Sequence, residues 1–405
     1  MKKLQMVDLV SQYQKIKPEI DKAISDVVLS SAYINGPEVK LFAEELAQYL
    51  GVKHVIPCGN GTDALQIAMM ALGFKEGDEI ITTSFTYVAT AEAIALLKLK
   101  PILVEVNPDT FTIDPAAFEK AITSKTVAVV PVHLFGQCAD MESVMNIAAK
   151  HKLKVIEDVA QAIGSDFTFS DGSKKKGGTI GTVGCTSFFP SKNLGAMGDG
   201  GAIFTDDDEL AKKIRMTTNH GQTILYHHDE IGVNSRLDSI QAAILRIKLR
   251  HLDEYAAARN LAAAYYDKAF SNHPNIKTPV RQKNSTHVFH QYTLQLNGID
   301  RDALREHLSS KGIPSMIYYP IPLHLQKAYC KVEEWKNGRM EAKLIYKKGD
   351  FPVTEKLSES VLSLPMHTEL SQDDLKFITD SVLEFINRNG KSGRVEEWKS
   401  TKVEE

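Results

Sequence analysis

Short apolar runs and amphipathic segments alternate along the first part of the chain, and this alternation is the feature that most constrains its fold. The runs of strand length are 78–85, 102–106, 127–133 and 153–159, and the segments with helical apolar spacing are 37–51, 63–73, 88–99 and 140–151. Such alternation predicts an α/β fold, with a mainly parallel sheet covered by helices on both faces. Ligands bind these sheets beyond the carboxyl ends of the strands, so the residues that follow each run are the first candidates for a site.

The second part of the chain carries a different pattern. One long helical segment begins near Arg236 and continues to residue 270. Shorter strand-like and helical segments follow it, at 288–296, 301–312, 314–320, 361–366 and 372–388. A chain of 405 residues exceeds the usual size of one hydrophobic core, which favours two domains. We predict a large α/β domain with an N-terminal helical segment, a small C-terminal α+β domain and a polar tail, at 1–250, 251–390 and 391–405.

Composition argues against several classes of function. The formal net charge is −3, with Lys and Arg interspersed among Asp and Glu, which is not typical of a nucleic-acid or membrane surface. Two consecutive lysines follow Met1, but no long apolar run follows them, so we predict neither a signal peptide nor a transmembrane span. The four cysteines form no CxxC pair, which favours a reduced, cytoplasmic compartment, and we predict no metal site.

The stretch GNGTDALQ at 59–66 is the first candidate for chemistry. Gly59 and Gly61 permit a tight turn, and Thr62 stands where a helix begins. Backbone N–H groups at a helix N-terminus attract anions, and a threonine hydroxyl adds a donor, so this stretch could cradle a phosphate. The alternative is an ordinary helix cap formed by Thr62 or Asp63, and the stretch taken alone favours that alternative.

Further polar residues stand at the ends of predicted elements. Asp158 ends the fourth apolar run, where its carboxylate could hold a cationic ring nitrogen or could cap a helix. Lys192 lies five residues after Ser187, among apolar and small neighbours. Burial would lower the pKa of such a lysine and free its amine as a nucleophile, whereas an isolated lysine more commonly extends into solvent. Asn234 and Arg236 could donate to an anion or could only begin the long helix.

These residues are more informative together than separately. A cofactor aldehyde that carries a phosphate and a pyridine nitrogen needs an amine for the Schiff base, a carboxylate for the ring nitrogen and a cradle for the phosphate. It also needs an apolar or aromatic side chain that packs, like a plate, against its ring. Lys192, Asp158 and the stretch 59–66 would supply the first three. Tyr87, which follows the first apolar run, is a candidate for the plate.

Five motifs carry a resemblance to a known family: GTDAL at 61–65, SFTYVATAEAI at 84–94, EDVAQ at 157–161, SFFPSKNLGAMGDGGAIFT at 187–205 and GVNSRLDSIQAAIL at 232–245. With them the chain resembles, from Val7 to Leu370, the DegT/DnrJ/StrS family of pyridoxal-phosphate (PLP)-dependent sugar aminotransferases. That family has the aspartate aminotransferase fold, fold-type I. Within it, the chain is most similar to enzymes that make 3-amino sugars on UDP-linked N-acetylated hexuronates.

The resemblance implies a role for each cofactor-binding residue. Lys192 matches the lysine that holds the cofactor as a Schiff base and then moves the proton. Asp158 matches the carboxylate beside the pyridine nitrogen, and Gln161 matches the glutamine near the cofactor 3-hydroxyl. Tyr87 matches the aromatic residue that stacks on the cofactor ring. The residues that match phosphate contacts are Gly61, Thr62, Ser187 and Asn234.

The resemblance also implies partners and substrates. In the family, the residue matching Asn234 reaches the phosphate from a neighbouring subunit, which implies a homodimer with shared active sites. The implied amino donor is L-glutamate, which becomes 2-oxoglutarate, and the implied acceptor is a 3-oxo hexose or hexuronate on UDP or dTDP, for surface-polysaccharide biosynthesis. Residues that match positions near the sugar nucleotide are His220, Arg236, Tyr318, Tyr319 and His324. Hexuronate-specific relatives have histidine where this chain has Tyr318, which leaves neutral sugars open.

Three alternatives remain at this point. One is an aminotransferase of the same family that acts on 4-keto sugar nucleotides. A second is a family dehydratase, but dehydratases replace the cofactor lysine with histidine, so Lys192 argues against it. The third is a non-catalytic regulator built on the same fold, which would not need Lys192, Asp158 and Gln161 together.

Overall fold

The computed structural model describes residues 4–271, 273–336 and 339–392. Its helices are α1 (Leu9–Ser30), α2 (Pro37–Leu50), α3 (Gly61–Ala71), α4 (Ala89–Leu96), α5 (Pro115–Ala121), α6 (Met141–His151), α7 (Asp208–Thr218), α8 (Ser239–Leu249), α9 (Leu252–Phe270), α10 (Arg301–Ser310), α11 (Pro352–Ser360) and α12 (Gln372–Ser392). Its strands are β1 (His54–Cys58), β2 (Glu79–Thr83), β3 (Lys100–Val104), β4 (Thr126–Val130), β5 (Lys154–Asp158), β6 (Asp166–Thr168), β7 (Lys174–Lys176), β8 (Val183–Ser187), β9 (Gly201–Thr205), β10 (Gln222–Ile224), β11 (His227–His228), β12 (Ile276–Lys277), β13 (Tyr292–Leu296), β14 (Lys331–Lys336), β15 (Arg339–Leu344) and β16 (Val361–Leu364). Of the predicted polar tail, residues 393–405 lie outside the described residues.

The central sheet has the strand order β1-β9-β8-β5-β4-β2-β3. Strands β8, β5, β4, β2 and β3 are parallel, whereas β9 runs antiparallel to both of its neighbours. The register places Ile81 of β2 beside Ile102 of β3 and Val129 of β4, and all three side chains contribute to one apolar cluster. The prediction of a mainly parallel sheet is confirmed.

The carboxyl ends of these parallel strands carry predicted site residues. β5 ends at Asp158, β8 ends at Ser187, and β2 ends four residues before Tyr87. β5 and β8 are neighbours, and Asp158 pairs in register with Cys185, two residues before Ser187. The topology therefore brings residues from distant parts of the sequence to one edge of the sheet.

A second hydrophobic core forms in the C-terminal part of the chain. There β12, β13 and β16 make an antiparallel sheet, and apolar residues of α9, α10 and α12 pack with it. This is the α+β arrangement expected from the sequence, while the domain boundaries at 250 and 390 stay a prediction. None of the helices in the described part of the chain combines the length and hydropathy needed to cross a bilayer.

The predicted continuous helix from Arg236 to residue 270 is wrong. It is interrupted at Arg250–His251, where His251 has φ −101° and ψ 1°. Helix α8 packs against α1 and α2, whereas α9 packs against α12 in the second core. The two helices thus pack in different cores. No proline or glycine stands at the break, so the apolar spacing of the sequence predicts one continuous helix across it.

Two smaller predictions also need correction. The segment 314–320 forms no strand and makes a single isolated bridge, between Met316 and Ser363. The polar stretch SDGSKKKGG at 170–178, whose composition predicts an exposed loop, contains β7, which pairs with β6 in an antiparallel hairpin. In both places the local sequence pattern was too short to decide between a strand and a loop.

Candidate active site

Lys192 lies in the loop that joins β8 to β9. Its backbone N–H donates to the Phe189 carbonyl at 2.8 Å, and the Ala196 N–H donates to the Phe188 carbonyl at 2.8 Å, so the loop folds back on itself. The side chain is half-buried, and within the described residues its Nζ has no hydrogen-bond or ion-pair partner. Burial lowers the pKa of Lys192 to about 8, and the negative charge of Asp158 opposes this shift.

Asp158 is buried at the carboxyl end of β5 and has both of its oxygens engaged. The Thr90 hydroxyl donates to Oδ2 at 2.8 Å, and the Ala160 N–H donates to Oδ1 at 3.2 Å. Asp158 therefore does not cap a helix; it holds a turn and receives one bond from α4. These contacts fix a carboxylate close enough to Lys192 for their charges to interact.

The turn before α3 leaves backbone donors available. Asn60 is the N-cap, since its Oδ1 accepts the Asp63 N–H at 2.8 Å. The alternative that Thr62 or Asp63 caps this helix is therefore wrong. Among the described residues, the N–H groups of Gly61 and Thr62 have no acceptor, which is the arrangement that an anion requires at a helix N-terminus.

Gly61 and Ser187 approach each other closely in this cradle. A Cβ atom placed on Gly61 would lie 2.6 Å from the Ser187 Cβ, and 3.3 Å from its hydroxyl oxygen. Only glycine fits at position 61 while the Ser187 side chain keeps its place. The Ser187 hydroxyl at the end of β8 thus lies close to the N–H groups of Gly61 and Thr62 at the start of α3.

An aromatic pair and an amide complete the site. The rings of Tyr87 and Tyr319 are 6.2 Å apart, and Tyr87 is 57% exposed, so one face of its ring is open to a ligand. Gln161 accepts the Phe135 N–H at 2.9 Å and donates to the Tyr319 hydroxyl at 3.1 Å. Burial raises the pKa of the Tyr319 phenol, which therefore stays protonated.

Tyr318 and His324, which the resemblance also matches to positions near the sugar nucleotide, differ in environment. Tyr318 is half-buried beside Tyr319, and desolvation raises the pKa of its phenol. His324 is fully buried, with Nδ1 2.7 Å from the Ser84 hydroxyl and Nε2 3.0 Å from the Glu355 carboxylate. It could contact a substrate only by giving up one of these partners.

His220, Asn234 and Arg236 form a separate group. Asn219 connects them, because it bridges to Asn234 and accepts from the Arg236 guanidinium at 3.2 Å. His220 and Asn234 are exposed. Within the described residues, no hydrogen bond or ring contact joins these three side chains to Lys192 or Tyr319, although their neighbour Ser235 accepts the Gly59 N–H at 2.9 Å, beside the phosphate cradle.

Three positioning residues were missed from the sequence. Thr90 holds Asp158, Asn60 caps α3, and Ser235 accepts the Gly59 N–H at 2.9 Å while donating to Asp63 at 2.6 Å. All three stand within or beside the five motifs. Their signal was therefore present in the sequence, but the partner of each side chain depends on the fold.

The sequence profile of the DegT/DnrJ/EryC1/StrS aminotransferase family matches residues 14–383. The chain belongs to this family. As a DegT/DnrJ/EryC1/StrS aminotransferase it uses PLP, and the predictions of aminotransferase activity, of the cofactor and of fold-type I are confirmed.

Several known proteins are similar to this chain along nearly their whole length. A "Pleiotropic regulatory protein" of Geobacillus stearothermophilus is 45% identical over 94% of this chain and 98% of its own. A UDP-2-acetamido-2-deoxy-3-oxo-D-glucuronate aminotransferase of Pseudomonas aeruginosa is 44% identical over 93% of this chain and 98% of its own. A UDP-N-acetyl-3-dehydro-α-D-glucosamine 3-aminotransferase of Acidithiobacillus ferrooxidans is 42% identical over 91% and 94%. The crystal structure of DesV from S. venezuelae, in complex with a ketimine intermediate, superposes with a TM-score of 0.87 at 38% identity, covering 95% of this chain and 98% of that one.

The residues of this family member fit PLP. The phosphate would lie at the cradle of Gly61, Thr62 and Ser187, where a Cβ atom at position 61 would fill the space and two N–H groups lack acceptors among the residues that the structure describes. Lys192 is half-buried, and no side chain in the described part of the chain competes for its amine. Asp158 supplies the fixed carboxylate that a pyridinium nitrogen requires.

Proposed function

We propose that this aminotransferase moves an amino group from L-glutamate to a nucleotide-linked 3-keto sugar, in the biosynthesis of an amino sugar. The observation that carries the proposal is the placement of Lys192 close enough to Asp158 for their charges to interact, at one edge of the sheet and beside an open phosphate cradle. Named relatives that act on 3-oxo and 3-dehydro UDP sugars support the choice of substrate.

Bound PLP supplies an electron sink, which accepts the electron pair left on a carbon when that carbon loses its proton. Asp158 holds a negative charge where a ring nitrogen would lie, and Thr90 with the Ala160 N–H keeps that carboxylate in place. The Gly61 and Thr62 N–H groups and the Ser187 hydroxyl would bind the phosphate, and Tyr87 would cover one ring face. The protein thus fixes the cofactor at three separate points.

Lys192 carries out the proton transfer in this proposal. With a pKa of about 8, about a tenth of its amine is unprotonated at pH 7, compared with well under a thousandth for a lysine at 10.5. The unprotonated amine would accept the proton that leaves the α-carbon of the amino donor, and the ammonium so formed would then return it to the carbon that was the aldehyde of PLP. The same loop keeps the amine half-buried, which limits competition from water.

The proposed acceptor is bound beside Tyr318 and Tyr319. Two tyrosines offer hydroxyl groups and ring faces to a sugar, and the wall behind them is formed by Phe85, Phe111 and Phe135. Tyr318 carries no positive charge for a uronate carboxylate, which favours a neutral hexose. A screen of 3-keto and 4-keto sugar nucleotides, each as hexose and hexuronate, with glutamate and mass detection of the product, tests this. Turnover of 4-keto substrates alone would refute the 3-position, and a preference for hexuronates would refute the neutral sugar.

We propose further that two copies of the chain share their active sites. Apolar side chains are exposed in the hairpin of β10 and β11 and shortly after it, close in sequence to His220 and Asn234: Ile224, Leu225, Tyr226 and Ile231 are 66% to 88% exposed. Such a patch favours burial against another protein surface. A second copy would bring His220, Asn234 and Arg236 to the site that holds Lys192.

Mixing two inactive variants tests the shared site. Lys192→Ala has no cofactor lysine, and Asn234→Ala/Arg236→Ala lacks the proposed contributions from the other subunit. In a mixed dimer, one site receives both defects and the other receives neither, so activity returns after the variants exchange subunits. If each site is built by one chain, every mixed site carries a defect and activity does not return.

A cytoplasmic location, favoured by the free cysteines, is part of the same proposal.

A further inference from the structure

A buried chain of three side chains lies behind the proposed substrate site. The Ser84 hydroxyl is 2.7 Å from His324 Nδ1, and His324 Nε2 is 3.0 Å from Glu355 Oε1. Ser84 and His324 are both fully buried, and Glu355 is almost so. His324 therefore interacts with Ser84 on one side and Glu355 on the other, rather than with solvent.

The chain of contacts joins two parts of the molecule. Ser84 directly follows β2 of the central sheet, and Glu355 belongs to α11. The segment that carries His324 is also held by its backbone, since the Leu323 N–H donates to the Ser84 carbonyl at 3.0 Å. Glu355 additionally accepts the Gly349 N–H at 2.6 Å, which holds its carboxylate in position to receive the His324 Nε2 proton.

The two segments that meet at this point carry the aromatic pair of the site. Tyr87 follows Ser84 by three residues, and Tyr319 precedes His324 by five. Their rings are 6.2 Å apart, and the Tyr319 hydroxyl accepts from Gln161. A displacement of the His324 loop relative to Ser84 would therefore change the distance between the two rings, together with the hydrogen bond to Gln161.

We propose that His324 is a positioning residue, which sets the Tyr319 ring and hydroxyl against Tyr87 through its bond to Ser84, and that it does not contact the sugar nucleotide. The proposal rests on the proposed role of Tyr319 in substrate binding. Ser84 makes it testable, because a fully buried serine cannot touch a substrate itself.

Two substitutions remove the same bond from opposite sides. Ser84→Ala deletes the hydroxyl, and His324→Gln keeps a polar group that can reach Glu355 but loses the one at the Nδ1 position. One hydrogen bond corresponds to about a tenfold change in an equilibrium, so each variant should lose about tenfold in kcat/KM for the keto-sugar nucleotide. The double variant should lose no more than either single variant. Glu355→Gln retains the acceptor oxygen and should remain close to the wild-type enzyme.

Ser363→Ala is the matched control. Ser363 is also fully buried, and its hydroxyl makes one side-chain hydrogen bond, to Thr293 at 2.8 Å, in the second core. It should lower Tm by a similar amount to Ser84→Ala and leave kcat/KM unchanged. A general loss of stability would change both variants alike, whereas loss of positioning changes only Ser84→Ala.

A spectroscopic measurement separates this inference from the substrate proposal. Tyr87 would lie against the cofactor ring, so Ser84→Ala and His324→Gln should change the visible circular dichroism of bound PLP, with no sugar nucleotide present. This readout stands even if no tested sugar nucleotide is a substrate. The proposal would be overturned if the losses in kcat/KM of the two single variants multiplied in the double variant. It would also be overturned if Ser84→Ala kept the wild-type kcat/KM while His324→Gln lost it, a result that favours direct contact between His324 and the substrate.

Discussion

Substitution of Gly61 by alanine tests the phosphate cradle directly. The new Cβ would lie 2.6 Å from the Ser187 Cβ, about 1 Å inside normal contact, so either the start of α3 or the end of β8 must move. Overpacking of this kind costs about 1–3 kcal/mol. Both elements that can move form the cradle, so we expect most of this cost in cofactor binding, as a rise in the Kd for PLP of about 5- to 150-fold.

The measurement is a titration of apoenzyme with PLP, followed by the visible absorption of lysine-bound cofactor. Ser187→Gly removes the atom that clashes, and the double variant Gly61→Ala/Ser187→Gly should recover much of the affinity lost by Gly61→Ala, although it lacks the Ser187 hydroxyl. Gly198→Ala is the control, because its Cβ would meet only the flexible end of Gln241 at 3.0 Å. An unchanged Kd for Gly61→Ala, or a double variant weaker than both single variants, would refute the reasoning.

Three further predictions concern Lys192 and Asp158. Lys192→Met should fold, show no visible band from lysine-bound PLP and have no detectable turnover; wild-type turnover would remove Lys192 from the mechanism. Asp158→Asn keeps an acceptor for Thr90 but removes the charge, and kcat should fall about 100-fold or more, while an unchanged kcat would show that the charge is not used. The lysine pKa of about 8 lies below its ordinary 10.5, so the unfolded chain binds this proton more tightly between these values. The free energy of unfolding of the apo wild type, relative to Lys192→Met, should therefore rise with pH from about 8 to 10.5, as measured by denaturant titration; a flat difference would contradict the shift.

The sequence was sufficient to predict the edge at which the site lies. The continuous apolar runs predicted parallel strands, and the run at 153–159 placed Asp158 at the edge where such sheets bind ligands. The motif that contains Lys192 then identified the amine. Each of these inferences depends on a local pattern, either period or motif, which a sequence displays directly.

The missed features depend on contacts between distant residues. The break at Arg250–His251 follows from α8 and α9 packing in different cores, and nothing in the local sequence marks it. Asn60 replaces Thr62 as the cap of α3 because the Asn60 side chain, two residues earlier, reaches the Asp63 N–H. Both residue types are good caps, so the choice between them was made by the geometry of the preceding turn.

His324 shows how a motif can indicate the right region and leave the role undecided. Its position near Tyr319 made a substrate contact the natural expectation, yet its ring is enclosed by Ser84, 240 positions earlier in the chain, and by Glu355. A motif transfers the position of a residue but not the direction of its side chain, since that direction is set by partners the motif does not contain. Asn234 presents the complementary case, because it is exposed in this chain and its expected partner belongs to a second copy. Residues of both kinds are best tested by pairs of substitutions, within one chain for His324 and across two chains for Asn234.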